Sequence, residues 1–407
     1  MNLLDRYLKD QIDVLRSTGV FRRLRILEGP QGAKVHVDGR DVINLSSNNY
    51  LGLATHPCLD SAAIDAARTY GTGTGAVRSI VGTFDIQEEL EHKLARFKGT
   101  EAALVFQSGF AANQAVLGSI LEEGDLIISD VLSHASIVDG IRLTKATRAV
   151  YAHSDMGDLE RALHRARGKY RKVVIATDGV FPMGGDIAPL DKIAELAAEY
   201  GAATIVDDAH AIGVLGHRGR GTASHFNIPA DGWDITVGTL SKAVGGVGGF
   251  VAGSQRLRQV MEHRARPFLF STSHPPAVTA AASAAIDILS SLEGEVLIDR
   301  LWANTQFFQT GLRSFGFDID ASQTPITPVI IGDEVRALRF SEALFEQGLL
   351  AAAIVYPTVP RGKARVRTIV TADHTTLDLQ EALDIFQRVG RSCGVPLELA
   401  NVQPSHV

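Results

Sequence analysis

The chain of 407 residues carries a net charge of −6, with 45% apolar and 21% charged residues, the balance of an ordinary globular protein. No basic field is present to attract nucleic acid or an anionic membrane. Two cysteines, Cys58 and Cys393, exclude a disulfide framework and a CxxC metal site.

At this length two or three domains around a large core are expected. The first residues, Met1-Asn2-Leu3-Leu4-Asp5-Arg6, place charges where a secretory signal needs an apolar run, so a cytoplasmic protein is expected. An N-terminal part, 1–57, begins with Leu4, Leu8, Ile12 and Leu15 at helical spacing and continues with strands predicted over 33–37 and 42–45. The middle, 58–293, alternates short β-branched runs (103–106, 125–129, 173–177, 203–206, 235–237, 249–252) with helical patterns such as 190–200. That alternation predicts an α/β fold with a large, doubly wound, mostly parallel sheet. The longest apolar stretch, 275–292, contains Asp287 and reads as a packed helix, not a membrane span. A smaller C-terminal α+β domain is predicted over 294–397, with strands at 327–331, 352–355 and 365–369 and helices at 335–347 and 377–389. Residues 398–407 read as a frayed tail.

In an open α/β sheet, ligands bind outside the carboxyl ends of the strands, and several strand-end loops here carry suitable groups. Ser108-Gly109-Phe110 opens a helix whose amides can cradle a phosphate; alone, it is an ordinary capped helix. His134, in Ser133-His134-Ala135, can stack on a flat ring. Asp178 to Asp186 forms a Gly-rich turn at the same edge. Most informative are Val206-Asp207-Asp208-Ala209-His210 and, downstream, Gly238-Thr239-Leu240-Ser241-Lys242. A Lys can form a Schiff base with pyridoxal 5'-phosphate, and an Asp can keep the pyridine nitrogen protonated so that the ring acts as an electron sink. Gly71 to Gly75 lacks GxGxxG spacing, and His56, His92, His153, His217 and His225 show no metal-ligand spacing, so no metal is expected.

With these motifs the chain resembles the α-oxoamine synthases, pyridoxal-phosphate enzymes of fold type I that condense an amino acid with an acyl-CoA. The resemblance runs from the N-terminal helix to about Leu397. It rests on Asn48-Asn49-Tyr50-Leu51-Gly52-Leu53, His134 to Gly140, Thr177 to Phe181, Asp207 to His210, Gly238 to Lys242, Arg266 to Ser271 and Arg365-Val366-Arg367-Thr368. It implies that Lys242 carries the cofactor, Asp207 pairs with the ring nitrogen, His210 contacts the phenolic oxygen and His134 stacks on the ring. Ser108, Gly109, Phe110 and Thr239 are implied at the phosphate, with Thr272 or Ser273 reaching it from the neighbouring subunit of a homodimer. Asn48 and Arg367 are implied to hold the amino-acid carboxylate. Lys242 would take the α-proton, with His134 assisting.

Within the family the pattern is most similar to the members that condense glycine with acetyl-CoA, the glycine C-acetyltransferases. The 8-amino-7-oxononanoate synthases, which use alanine and pimeloyl-CoA, come next, beside a promiscuous α-oxoamine synthase that accepts several acyl donors. The segment Gly75 to Thr83 favours acetyl-CoA with glycine. The chain departs from the family pattern at Pro182, where most members have Ser, and at Ser241, where many have Gly. An aminotransferase would share the Lys and Asp but need no CoA. A non-catalytic subunit would be expected to have lost Lys242.

Overall fold

In the computed structural model, which describes residues 2–18, 21, 23–229, 231–395 and 397, the chain begins with helix α1 (Leu3–Ser17). Asn2 caps it by accepting the Asp5 amide. The expected spacing is present but faces outward: Leu4, Leu8, Ile12 and Leu15 are exposed, and the helix buries no residue. Strands β1 (Lys34–Val37) and β2 (Arg40–Asn44) form an antiparallel pair. Helices α2 (Pro57–Tyr70) and α3 (Asp85–Lys98) lead into the central sheet.

That sheet holds β3 (Ala102–Phe106), β4 (Leu126–Asp130), β5 (Thr147–Tyr151), β6 (Val173–Asp178), β7 (Ala203–Asp207), β8 (Ile235–Thr239) and β9 (Gly249–Gly253), in the spatial order β3-β9-β8-β7-β6-β4-β5. Only β9 runs antiparallel to its neighbours. Between the strands lie α4 (Gly109–Ile120), α5 (Ala135–Arg142), α6 (Met156–Ala166), α7 (Leu190–Tyr200) and the short α8 (Thr222–His225); α9 (Gln255–Arg264) and α10 (Arg266–Leu269) follow β9. Both sheet faces are covered. On β3, Leu104 and Phe106 enter one core and Ala103 and Val105 the other; Ile127 and Ile128 of β4 divide likewise. Strands buried on both sides show continuous apolar runs, so most were legible. The edge strand β5 was not predicted, because its residues are largely exposed and it carries no such run.

Helix α11 (Pro276–Leu289) packs on α2 and α3. The 23-residue α12 (Leu292–Ser314) then straddles two cores: Leu297, Ile298 and Leu301 face the large domain, Phe308 and Leu312 the C-terminal lobe. The lobe continues with β10 (Ile326–Gly332), α13 (Glu334–Glu346), β11 (Leu349–Leu350), β12 (Ala352–Ile354), β13 (Ala364–Ile369) and α14 (Thr376–Ser392). β10, β13 and β12 form an antiparallel sheet. The two-residue β11 pairs in parallel with β2, so the N-terminal pair belongs to the C-terminal lobe and does not stand as a part of its own. The predicted tail, 398–407, lies outside the described residues. No described helix is long and apolar enough to cross a membrane.

A buried ionic cluster fixes α3 and the loop before it to the sheet. Glu91, 0% exposed, accepts from Arg78 Nη1 at 2.8 Å and from the Val105 amide at 3.0 Å, and Arg258 of α9 lies 3.0 Å from its other oxygen. Burial pushes this carboxyl above its ordinary pKa, opposed by Arg78. Deleting one member of a buried pair leaves the others uncompensated and costs about 3–5 kcal/mol. Glu91→Ala should lose that much in a urea unfolding titration. A loss below about 1 kcal/mol, as for a surface pair, would contradict a dry cluster.

Candidate active site

The predicted residues converge at the carboxyl ends of β4, β6, β7 and β8. Asp207, the last residue of β7, is 6% exposed. Its Oδ2 accepts from Asn113 Nδ2 at 2.6 Å and its Oδ1 from the Ala209 amide at 2.9 Å. Asn113 projects from α4 and also reaches Ser136 Oγ of α5, at 2.9 Å. Ser136 Oγ lies 2.7 Å from His134 Nδ1, and the His134 amide donates to Asp178 Oδ2 of β6 at 2.8 Å. Burial, then repulsion from Asp207, pushes the Asp178 carboxyl well above its ordinary pKa. His134 is held below its ordinary value by desolvation, with Lys242 adding to the effect.

Lys242 follows β8 in a loop that closes on itself. Ser241 Oγ donates to the Gly248 carbonyl and accepts the Gly248 amide, each at 3.1 Å. The residue noted as a departure from the family pattern thus clasps the Lys242 loop. Burial lowers the Lys242 amine to about 8, against the pull of Asp207 and Asp178, so roughly a tenth is neutral and nucleophilic at pH 7, far more than of an ordinary lysine. Lys242 and Asn48 line one cavity of about 300 Å³ with Ser47, Asn49 and Gly246. Asn48 Oδ1 is buried there without a hydrogen-bond partner among the described residues.

Ser108 caps α4 through the Ala111 amide. Among the described residues the Gly109 and Phe110 amides have no acceptor, as expected at a helix start, where they make an anion site. Thr239 lies against this turn: a Cβ on Gly109 would sit 3.4 Å from Thr239 Cβ. The Thr239 hydroxyl donates to the Gly248 carbonyl at 2.9 Å, so it reaches a phosphate only by turning from that partner. Ser273 differs from expectation. It is buried, with Oγ 2.6 Å from the Gly82 carbonyl and 2.8 Å from Thr74 Oγ1, so its hydroxyl is committed inside its own chain. Thr272, by contrast, is exposed.

His210 is buried, and its Nδ1 lies 2.7 Å from the Tyr50 hydroxyl. Burial, then the positive charge of Lys242, draws its pKa well below the ordinary value. Arg367 of β13 donates from Nη1 to the Pro182 carbonyl at 3.1 Å. This contact is to a backbone carbonyl, which any residue at 182 supplies, so it does not depend on the departure at Pro182. The turn behind Pro182 is pinned by His153, which bridges Asp130 (3.1 Å) and Asp186 (2.9 Å). Tyr50, Asn113, Ser136 and Asp178 were not singled out as site residues from sequence. Tyr50, Ser136 and Asp178 lay inside recognised motifs, but nothing local marked their partners.

This set fits pyridoxal phosphate: a buried carboxylate for the ring nitrogen, free amides at a capped helix start for the phosphate, and a desolvated Lys between them. The cradle depends on a close approach. A Cβ on Gly249 would come within 2.3 Å of the Ser108 carbonyl oxygen and 2.4 Å of the Gly109 nitrogen. Gly249→Ala should weaken cofactor binding at least about tenfold, or ~1.4 kcal/mol, in a titration of apoenzyme followed by absorbance. Wild-type affinity in a folded variant would contradict this placement.

The family model for class I and II aminotransferases matches residues 40–386. An 8-amino-7-oxononanoate synthase of Thermoanaerobacter pseudethanolicus is 56% identical over 389 residues, covering 96% of this chain and 98% of that relative. One from Bacillus subtilis is 53% identical over 386 residues, covering 95% and 97%. A solved serine palmitoyltransferase, with pyridoxal phosphate as its internal aldimine, superposes with a TM-score of 0.91 at 32% identity, covering 97% of this chain and 100% of its own. The chain has the fold of the type I pyridoxal-phosphate transferases and belongs to the class I and II aminotransferase family, within it to the pyridoxal-phosphate-dependent α-oxoamine synthases.

Proposed function

We propose that this chain is an 8-amino-7-oxononanoate synthase, joining alanine to pimeloyl-CoA. In the reaction the Cα–H and Cα–carboxylate bonds of alanine break and a bond from Cα to the acyl carbon forms. CoA leaves as its thiol, the carboxylate leaves as CO2, and a proton replaces it on Cα. The observation that carries this choice is 56% identity, over nearly the full length of both chains, to a relative of that name. Glycine with acetyl-CoA, the pair expected from the segment Gly75 to Thr83, becomes the second reading. Arg78 within that segment is buried against Glu91 and Glu88, so this residue serves an ionic cluster.

When bound, pyridoxal phosphate supplies the electron sink for charge developing at the substrate α-carbon. The Gly109 and Phe110 amides bind its phosphate, and Asp207 holds a proton on its ring nitrogen. Asn48 and Arg367 orient the amino-acid carboxylate, the Arg through its planar fork. Lys242 Nζ takes the α-proton and returns one. His134 assists proton transfer near the thioester carbonyl. A homodimer completes the phosphate site with Thr272 of the second copy. The exposed apolar stripe of α1 (Leu4, Leu8, Ile12, Leu15) supports such an assembly, since an unpartnered stripe marks an interaction surface.

A CoA-release assay over alanine, glycine and serine, each with pimeloyl-, acetyl-, succinyl- and palmitoyl-CoA, tests the proposal. Several methylenes, at about 1–3 kcal/mol each at most, separate these donors, so alanine with pimeloyl-CoA should lead in kcat/KM by at least about tenfold. A lead for glycine with acetyl-CoA, or comparable rates with several donors, would overturn the choice. Lys242→Ala should abolish turnover with every pair.

A further inference from the structure

The hydrogen bonds around His134 run in one direction only. The Asp207 carboxylate accepts, so the Asn113 atom 2.6 Å from it is the amide nitrogen, which has two hydrogens to give. The second points to Ser136 Oγ at 2.9 Å. Ser136 Oγ accepts on that side, and its own proton goes to His134 Nδ1 at 2.7 Å. The Ser136 amide points to the same nitrogen at 3.3 Å. A ring nitrogen receiving two donors carries no proton, so the neutral imidazole carries its proton on Nε2.

We propose that Ser136 is a positioning residue that, with Asn113, sets the His134 proton on Nε2 and so makes this ring a hydrogen-bond donor toward the reacting centre. The packing is built for the relay. Asn113 and Ser136 are 0% and 1% exposed. Gly140, one turn beyond Ser136 on α5, lets that helix approach α4 closely: a Cβ there would meet Leu117 Cδ1 at 2.7 Å. Asn113 Oδ1 is left buried without a partner among the described residues, a cost of about 1–3 kcal/mol. Turning the amide over would relieve that oxygen but set it against the Asp207 carboxylate. Protonating Nδ1 would strand the Ser136 hydroxyl proton, so the ring resists taking a second charge, in keeping with its lowered pKa.

The proposal rests on the α-oxoamine synthase reading only for its kinetic arm. Nitrogen-15 NMR of the histidine-labelled holoenzyme at neutral pH should show His134 neutral and protonated on Nε2. In Ser136→Ala the His134 pKa should rise toward its ordinary value. Its kcat should fall on the order of tenfold, part of the ~10²–10⁴ that a placed proton donor contributes, with the amino-acid KM unchanged. Ser136→Thr should restore both. A wild-type ring protonated on Nδ1, or a Ser136→Ala enzyme with wild-type His134 titration and kcat, overturns the proposal. A substrate pair other than alanine and pimeloyl-CoA would leave the NMR result intact, so the two readings fail separately.

Discussion

A carboxylate buried at the end of a parallel strand is the constraint around which this molecule is arranged. Removing such a charge from water costs several kcal/mol unless donors replace the lost solvent. Asp207 obtains them from the Ala209 amide and from Asn113. The second partner binds α4 to the strand, and through Ser136 it binds α5 as well. α4 in turn presents the capped start at Ser108 to Phe110. Satisfying one buried acid therefore places the free amides at the start of α4, the His134 ring and the Asp207 carboxylate in one frame.

Around that frame the structure carries groups that a purely structural design would avoid. Burial, and then the nearby Asp207, raise the pKa of Asp178. Lys242 is desolvated, and Asn48 Oδ1 and Asn113 Oδ1 are buried without partners. Each is unfavourable for folding, and all lie at the same sheet edge. Their burden is carried by cores on both faces of the sheet and by ionic clusters away from the chemistry, such as Glu91 with Arg78 and Arg258. Perturbed groups gathered in one cleft are a physical mark of a catalytic site.

Much of this could be read before any coordinates, and what could not has definite causes. Central strands were visible because burial on both faces demands unbroken apolar runs; β5, exposed at the sheet edge, had no such requirement. Lys242 and Asp207 stood out because each sits in an unusual local composition at a strand end. Asn113 and Ser136 are common polar residues on helices, and only the approach of α5 to α4 at Gly140 makes them partners. The choice between Thr272 and Ser273 depended on a contact with Gly82 nearly two hundred residues earlier. The joining of β2 to β11 is likewise a long-range pairing with no local signature.

We propose that Lys242, desolvated beside Asp207, is the residue that captures pyridoxal phosphate. The direct measurement is reconstitution of apoenzyme with the cofactor at a series of pH values, borohydride reduction, and mapping of the pyridoxyl group by mass spectrometry. One group per chain is expected, on Lys242, with a capture rate that rises with pH through about 8 as the ammonium loses its proton. A group on any other Lys, or capture at Lys242 with no dependence on pH in that range, would contradict it.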